Sequence, residues 1–268
     1  MKRNTAKRTL EKLLSVCICL CMLGVMLPAQ VFAEEADTAQ TETVQDTAPK
    51  DTVYLSSADD LIQLAKNCRL DSWSQNRTVV LEADIDLSSV DFNGIPSFGG
   101  TWEGQNHAIT GLSLSQDGSV QGLFRYVQQG ALVRDMTVKG RIKPGGTRAS
   151  VGGIAGSNAG TIENCAFDGV VSGTSQIGGI AGVNTVKGSI NGCTVSGTVY
   201  GSHFVGGVVG QNDGVAANCT NAASVNTTVS QNEVKLNDLT LDDLLKTEKA
   251  NDVTDAGGIA GNNAGVLR

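Results

Sequence analysis

The sequence predicts an all-β chain whose body is a right-handed parallel β-helix, with a short capping helix before it and one helical insertion within it. Three observations predict it. A glycine-rich phrase, "VGGIAGSNAG" from Val151, returns as "IGGIAGVN" from Ile177, "VGGVVGQNDG" from Val205 and "AGGIAGNNAG" from Ala256. The segments between glycines are three to five residues long, and they lack the i, i+3, i+4, i+7 apolar spacing of a helix. Each copy also puts one small apolar residue at each of several fixed stations. Stacked copies then pair in parallel, roughly 4.8 Å apart, with like residue on like residue through a narrow interior. Parallel crossovers are almost always right-handed, which sets the expected hand.

The elements follow in chain order. Lys2, Arg3, Lys7, Arg8 and Lys12 precede an apolar run from Leu13 to Leu27, and Val31 and Ala33 suit a signal peptidase. Residues 1–33 therefore read as a cleaved signal peptide. The run is short for a membrane span, which needs about 20 residues, so a retained anchor is the weaker reading. Cys17, Cys19 and Cys21 lie inside the run and not at its end, which disfavours a lipoprotein. Beyond residue 33 the chain has 15 Lys and Arg against 26 Asp and Glu, a net charge of −11. That balance argues against nucleic acid or an anionic membrane as partner. Residues 34–51 are acidic and Thr-rich and cannot bury enough to fold alone, so they read as a disordered linker. Residues 52–121 hold the capping helix and the first coils. Ser57 caps a helix over 58–68, with Leu61, Leu64 and Ala65 on one face. "TVVLEADIDLSS" alternates as one half-buried strand, with Glu82, Asp84 and Asp86 on its outer side. Strands follow at Ile109–Leu114, Leu123–Tyr126 and Leu132–Val138.

Residues 122–268 carry the repeats. Five columns emerge on alignment. Ile154, Ile180, Val208 and Ile259 form one, and Asn158, Asn184, Asn212 and Asn263 another. Ile162, Ile190 and Ala216 make a third. Cys165, Cys193 and Cys219 make a fourth, with Met136 upstream, and Ile142, Val171, Val199 and Val225 a fifth. The paired glycines, Gly153, Gly179, Gly207 and Gly258 being the second of each pair, are expected to turn a corner with φ > 0 and to let backbones approach. The asparagines are assigned to the same corner, where they tolerate the left-handed region and stack their amides. The cysteines read as inward, buried thiols. Stacked side chains point the same way, which is poor disulfide geometry. A disulfide framework remains the alternative in an exported chain. Asn221 stands where Phe167 and Val195 stand in earlier copies, so that coil is expected to be looser inside. Residues 227–255 interrupt the third copy, with a helix capped by Thr240 and running through Leu241, Leu244 and Leu245. The chain stops partway through a coil, and the sequence reads as part of a longer protein.

These copies resemble the GLUG motif, a glycine-rich repeat of exported bacterial surface proteins that also occurs upstream of the catalytic domain in streptococcal immunoglobulin-A-specific metallopeptidases. "GGIAGSNAGTIENCAFDGVVSG" is similar to the family unit throughout, and "FGGTWEGQNHAITGL" and "GLFRYVQQGALVRDMTVKG" resemble the coils that precede it. The resemblance runs from Thr52 to Arg268. It implies a β-helix, surface exposure, no known catalytic residues and no cofactor.

Parallel β-helices also host polysaccharide enzymes, so the chemistry needs a test. Arg141-Ile142-Lys143 spells a tripeptide that polygalacturonases use, but clustered aspartates and a Gly-His-Gly are missing, and Ile142 belongs to a core column. His107 and His203 each sit at a bend and read as structural. No zinc-type spacing occurs. Glu82, Asp84 and Asp86 share a face that could hold Ca²⁺ but reads better as solvated. Sequons at Asn76, Asn218 and Asn226 read as chance. The expected function is a non-catalytic, exported, cell-surface module acting as stalk or adhesion scaffold, with a host or cell-surface protein or glycan as partner. Alternatives are the N-terminal non-catalytic segment of a larger secreted metallopeptidase, or a polysaccharide-active β-helix.

Overall fold

In the computed structural model the described residues are 51–146, 148–226 and 255–268. The signal segment 1–33, the linker through residue 50 and the inserted segment 227–254 with its Thr240-capped helix lie outside them. The described residues form a parallel β-solenoid of about 6 turns. Four sheets run along its length, and every pairing in them is parallel. A complete coil contributes one strand to each sheet. In the first GLUG-like copy these are Ser150–Gly152, Ala155–Asn158, Thr161–Glu163 and Ala166–Ser172. The register is that of the sequence repeat: Val151 pairs with Ile177, and Ile177 with Val205. Val205 then pairs with Ala256 and Asn212 with Asn263, so the chain returns to the same stations after the inserted segment.

Each coil is too thin to bury anything alone; stacking makes the core. Ile154, Ile162, Val171, Ile177, Ile180, Ile190, Val199, Val205 and Val208 are all fully buried. Burial of each such side chain contributes about 1.5–3 kcal/mol. Towards the N-terminus aromatics replace small residues in the interior. Phe98, Trp102 and Phe124 pack with ring centroids 5.2–5.9 Å apart, two of the three contacts edge-to-face.

Helix α1, Ala58–Asn67, packs Leu61 and Leu64 into the same core. Its start is a capping box. Ser57 accepts the amide of Asp60 at 3.2 Å, and Asp60 in return takes the Ser57 hydroxyl at 2.8 Å and the Ser56 amide at 3.1 Å. The Ser57 hydroxyl, and after it the Ser56 amide, hold the Asp60 carboxyl below its ordinary value. The helix ends at Asn67, one residue before the expected end, and Cys68 is its C-cap. No helix among the described residues is long and apolar enough to cross a membrane.

Two expected strands are each broken in two. "TVVLEADIDLSS" alternates in burial only from Leu81 to Leu87, since Val79, Val80 and Leu81 are all buried, and Thr78–Leu81 and Ile85–Asp86 belong to different sheets, with a bend at Ala83. Leu132–Val138 splits into Leu132–Arg134 and Thr137–Ile142 around Asp135, whose φ is +57°. At Ala83 the alternation continues across the corner and hides it, whereas at Asp135 it breaks, with Arg134 and Asp135 both part-exposed between buried Val133 and Met136. The third copy is looser as expected. Its last strand is interrupted between Thr220–Asn221 and Ser224–Val225, where the two previous coils run seven residues unbroken. Asn221 accepts the Ala223 amide at 2.9 Å, turning the chain locally instead of continuing the ladder.

Candidate functional site

The asparagine column is an interior ladder. Asn158, Asn184 and Asn212 are fully buried, in extended strands, with side chains inward. Asn158 Nδ2 donates to Asn184 Oδ1 at 2.9 Å, Asn184 to Asn212 at 2.8 Å and Asn212 to Asn263 at 2.7 Å. Each amide also reaches backbone carbonyls of its own and the next coil, as Asn184 does to Gly188 and Val215. The ladder begins where the apolar stack of this station, Phe98 and Val127, ends. The expectation that these asparagines use the left-handed region is therefore incorrect: none of them has positive φ. They are buried because their amides close the backbone groups that a bend leaves open.

The paired glycines are needed for space and not for φ. Gly153, Gly179 and Gly207 are not among the positive-φ residues, which corrects the corner argument. A Cβ on Gly153 would stand 2.2 Å from the Gly179 carbonyl and 2.3 Å from the Phe167 ring. A Cβ on Gly179 would meet Val195 at 2.2 Å, and one on Gly207 would meet Asn221 at 2.2 Å. Gly258, in the last described coil, has nothing within 4 Å.

The cysteines stack through their backbones: the amides of Ala166, Thr194 and Thr220 donate to the carbonyls of Met136, Cys165 and Cys193. All are free thiols, Cys165 and Cys193 buried and Cys219 half-buried. Each Sγ donates to the carbonyl two residues earlier, at 3.1 Å for Cys165, 3.5 Å for Cys193 and 3.2 Å for Cys219. Burial pushes Cys165 up to about 12 and Cys68 to about 11. Cys193 is pushed up furthest, by the hydrogen bond it shares with Cys219 and then by burial. Of that pair Cys219 is the one that ionises first. Cys165 and Cys193 are therefore packing groups and not activated nucleophiles, whereas the hydrogen bond with Cys193 lowers half-buried Cys219 to about 7.

The true left-handed corner lies one residue before the cysteine column. Asn106, Asp135, Asn164, Gly192 and Asn218 occupy it, with φ between +49° and +64°. The signal was in the sequence, as Asp, Asn or Gly directly before Met136, Cys165, Cys193 and Cys219. All three sequon asparagines, Asn76, Asn218 and Asn226, have positive φ as well, so local geometry accounts for asparagine there. A second unread column is Gly140, Gly169 and Gly197, paired in register. A Cβ on any of them would fall within about 2 Å of the carbonyl one coil back.

The candidate chemical groups do not converge. His107 Nδ1 lies 3.0 Å from Asp84 Oδ1, which also accepts the Ala108 amide at 2.8 Å. That amide first, then His107, keeps the Asp84 carboxyl below its ordinary value. Asp86 takes the Ser88 amide and hydroxyl, both at 2.9 Å. Asp84 and Asp86 thus serve their own strand end and the next coil, and among the described residues no group of three or more His, Cys, Asp or Glu could hold a metal ion. His203 is exposed, on another sheet, opposite Ser175. Arg141 and Lys143 flank Ile142, which is fully buried in its column. The outer face of the final coils carries a shallow concavity of about 510 Å³, lined by Ser189, Asn191, Val215, Ala217 and Arg268 among others.

A repeated, inward-committed solenoid is the class this geometry defines. Residues 147–172 match the family model described as the GLUG motif. The chain carries this repeat, and the matched segment is a repeat and not a catalytic domain. It is 29% identical over 128 residues to halomucin of Haloquadratum walsbyi, a match covering 41% of this chain and 1% of that protein. It also resembles the crystal structure of a candidate immunoglobulin A1 protease from Bacteroides ovatus, at 21% identity and a TM-score of 0.46, covering 64% of this chain and 66% of the other. The chain thus spans a small fraction of halomucin and just under two thirds of the Bacteroides chain.

Proposed function

We propose that this chain is a non-catalytic β-solenoid module of an exported protein displayed at the cell surface, acting as stalk or binding scaffold towards a protein or glycan outside the cell. The observation that carries the reading is how the coils spend their polar groups. Repeated asparagines and thiols face inward and bond to the backbone and to their own copies, and among the described residues no acid, base and nucleophile converge. The outer positions of successive coils, such as Thr161, Ser189 and Val215, are small and repeat in register. They present an extended surface, the kind solenoids use for binding. The basic, then apolar start of the chain supports export, and the acidic balance supports a non-nucleic-acid partner. The GLUG match supports a repeat module.

The second reading is the N-terminal, non-catalytic segment of a larger secreted metallopeptidase, which the resemblance to repeats found upstream of such catalytic domains favours. Brief protease treatment of intact cells, with mass spectrometry of the released and of the parent polypeptide, tests both. Coil peptides released from intact cells, on a polypeptide lacking an H-E-x-x-H segment, are expected for the stalk or scaffold. The same peptides joined to such a segment would establish the protease reading. Coil peptides found only after lysis would overturn both.

A further inference from the structure

The first coils and helix α1 enclose a cavity of about 250 Å³. Its wall is built from four places in the chain. Ile62, Ala65 and Lys66 come from α1, and Arg69 follows it. Asp91, Phe92, Asn93 and Gly94 form a loop, Pro96 belongs to the strand Ile95–Phe98, and Arg125 to Phe124–Val127. Pro96 and Arg125 are neighbours on adjacent coils, since Ile95 pairs with Phe124 and Ser97 with Tyr126.

Charge sets this cavity apart. Lys66, Arg69 and Arg125 meet there against one carboxylate, Asp91, on a chain of net charge −7. None of the three cations is ion-paired with a described residue, whereas nearby Arg77 pairs with Asp51 and Arg134 with Glu103. Asp91 instead accepts Gln116 Nε2 at 3.4 Å. The Nε of Arg125 is buried and has no hydrogen-bond partner. A buried guanidinium N–H left open is costly, and native structures seldom leave one without a reason. Arg125 lines the cavity, and its guanidinium fork suits a two-oxygen anion. Ile62, Phe92 and Pro96 supply an apolar wall beside the charges. The volume lies below the roughly 300–1,000 Å³ of ordinary ligand sites, which limits the occupant to about one ring.

We propose that this cavity binds a single acidic sugar-sized ligand through a carboxylate, sulfate or phosphate group, with Arg125 as the anion's principal partner and Lys66 and Arg69 as supporting charges. The inference rests on the cavity alone and holds whichever role the solenoid plays.

Isothermal titration of the exported chain with glucuronate, N-acetylglucosamine 6-sulfate and glucose 6-phosphate separates the three anion chemistries, with neutral N-acetylglucosamine as control. Saturable binding of at least one anionic sugar is expected, weakened by salt, and the neutral sugar is expected to be silent. Arg125→Gln is expected to weaken binding about tenfold or more. Should that variant fail to fold, the Lys66→Gln, Arg69→Gln double variant at the exposed end of α1 provides the same loss. Asp91→Asn removes the one opposing charge and is expected to tighten binding several-fold, a gain that misfolding does not produce. Absence of saturable binding for all three anions, equal binding of the neutral sugar, or unchanged affinity in the cation variants would overturn the proposal.

Discussion

Asn184 stands in the middle of the buried ladder: it accepts from Asn158 and donates to Asn212 and to two backbone carbonyls. Asn184→Ala leaves buried donors and acceptors open and is expected to cost about 1–3 kcal/mol, read as a lowered urea midpoint. Asn263→Ala, at the exposed end of the ladder, is expected to change stability by less than about 0.5 kcal/mol. The glycine pair separates space from backbone freedom in the same way. Gly153→Ala is expected to destabilise by about 1–3 kcal/mol through overpacking against Gly179 and Phe167, and Gly258→Ala to be neutral in this chain. The thiols add a pH dependence. The folded pKa values of Cys165 and Cys68 lie above the ordinary 9.0, at about 12 and about 11. Above pH 9 the unfolded chain therefore releases thiol protons that the folded chain keeps. Stability falls as pH rises from 9 towards 11 and 12, and below 9 these groups contribute no slope. Denaturation midpoints at pH 8, 9 and 10 check the sign. Native-state labelling with a thiol reagent is expected to reach Cys219 first and to leave Cys165 and Cys193 untouched until unfolding. Rapid labelling of Cys193 would remove it from the interior.

At the scale of elements, the helix was legible and the strands were legible only in part. Ser57, the acidic first turn and the Leu61–Leu64–Ala65 face point to one structure, and α1 has it within one residue. Leu61→Ala is expected to cost about 2–5 kcal/mol and Ser57→Ala about 1 kcal/mol, because one removes buried volume and the other a cap. Thermal unfolding of both variants distinguishes the two magnitudes. The strand end at Ala83 escaped the reading because the chain turns there without breaking the inside–outside alternation, whereas at Asp135 the three-residue step from buried Val133 to buried Met136 was a sign left unread. The aspartate, asparagine or glycine before Met136 and each cysteine of the column was the available sign, since those residues enter the left-handed region more readily than others. The corner was expected at the glycine pair instead, because glycine serves both close approach and positive φ.

At the scale of the molecule, stability is carried by neighbours along one axis. Coils contact the coils above and below, so protection should vary along the chain. In hydrogen exchange, the amides of Ile154 and Ile180, each bonded to the next coil, are expected among the slowest, and those of Ala260–Leu267 among the fastest. Uniform protection would instead indicate a single cooperative unit. The return to register after residues 227–254, with Val205 on Ala256 and Asn212 on Asn263, follows from the same axis. A coil accepts any insertion whose ends come back to adjacent stations.

The sequence by itself determined the architecture, the period, the columns and the capping helix, because each is written as a local repetition that stacking amplifies. It did not determine which column bends the chain or which only lets backbones meet. Nor did it show that Lys66, Arg69 and Arg125, up to 59 positions apart in the chain, line one cavity. Those were decided by the tertiary structure, because positive φ, a missing Cβ and a shared cavity depend on what lies one coil away, and that neighbour is set by the register and not by the adjacent residues.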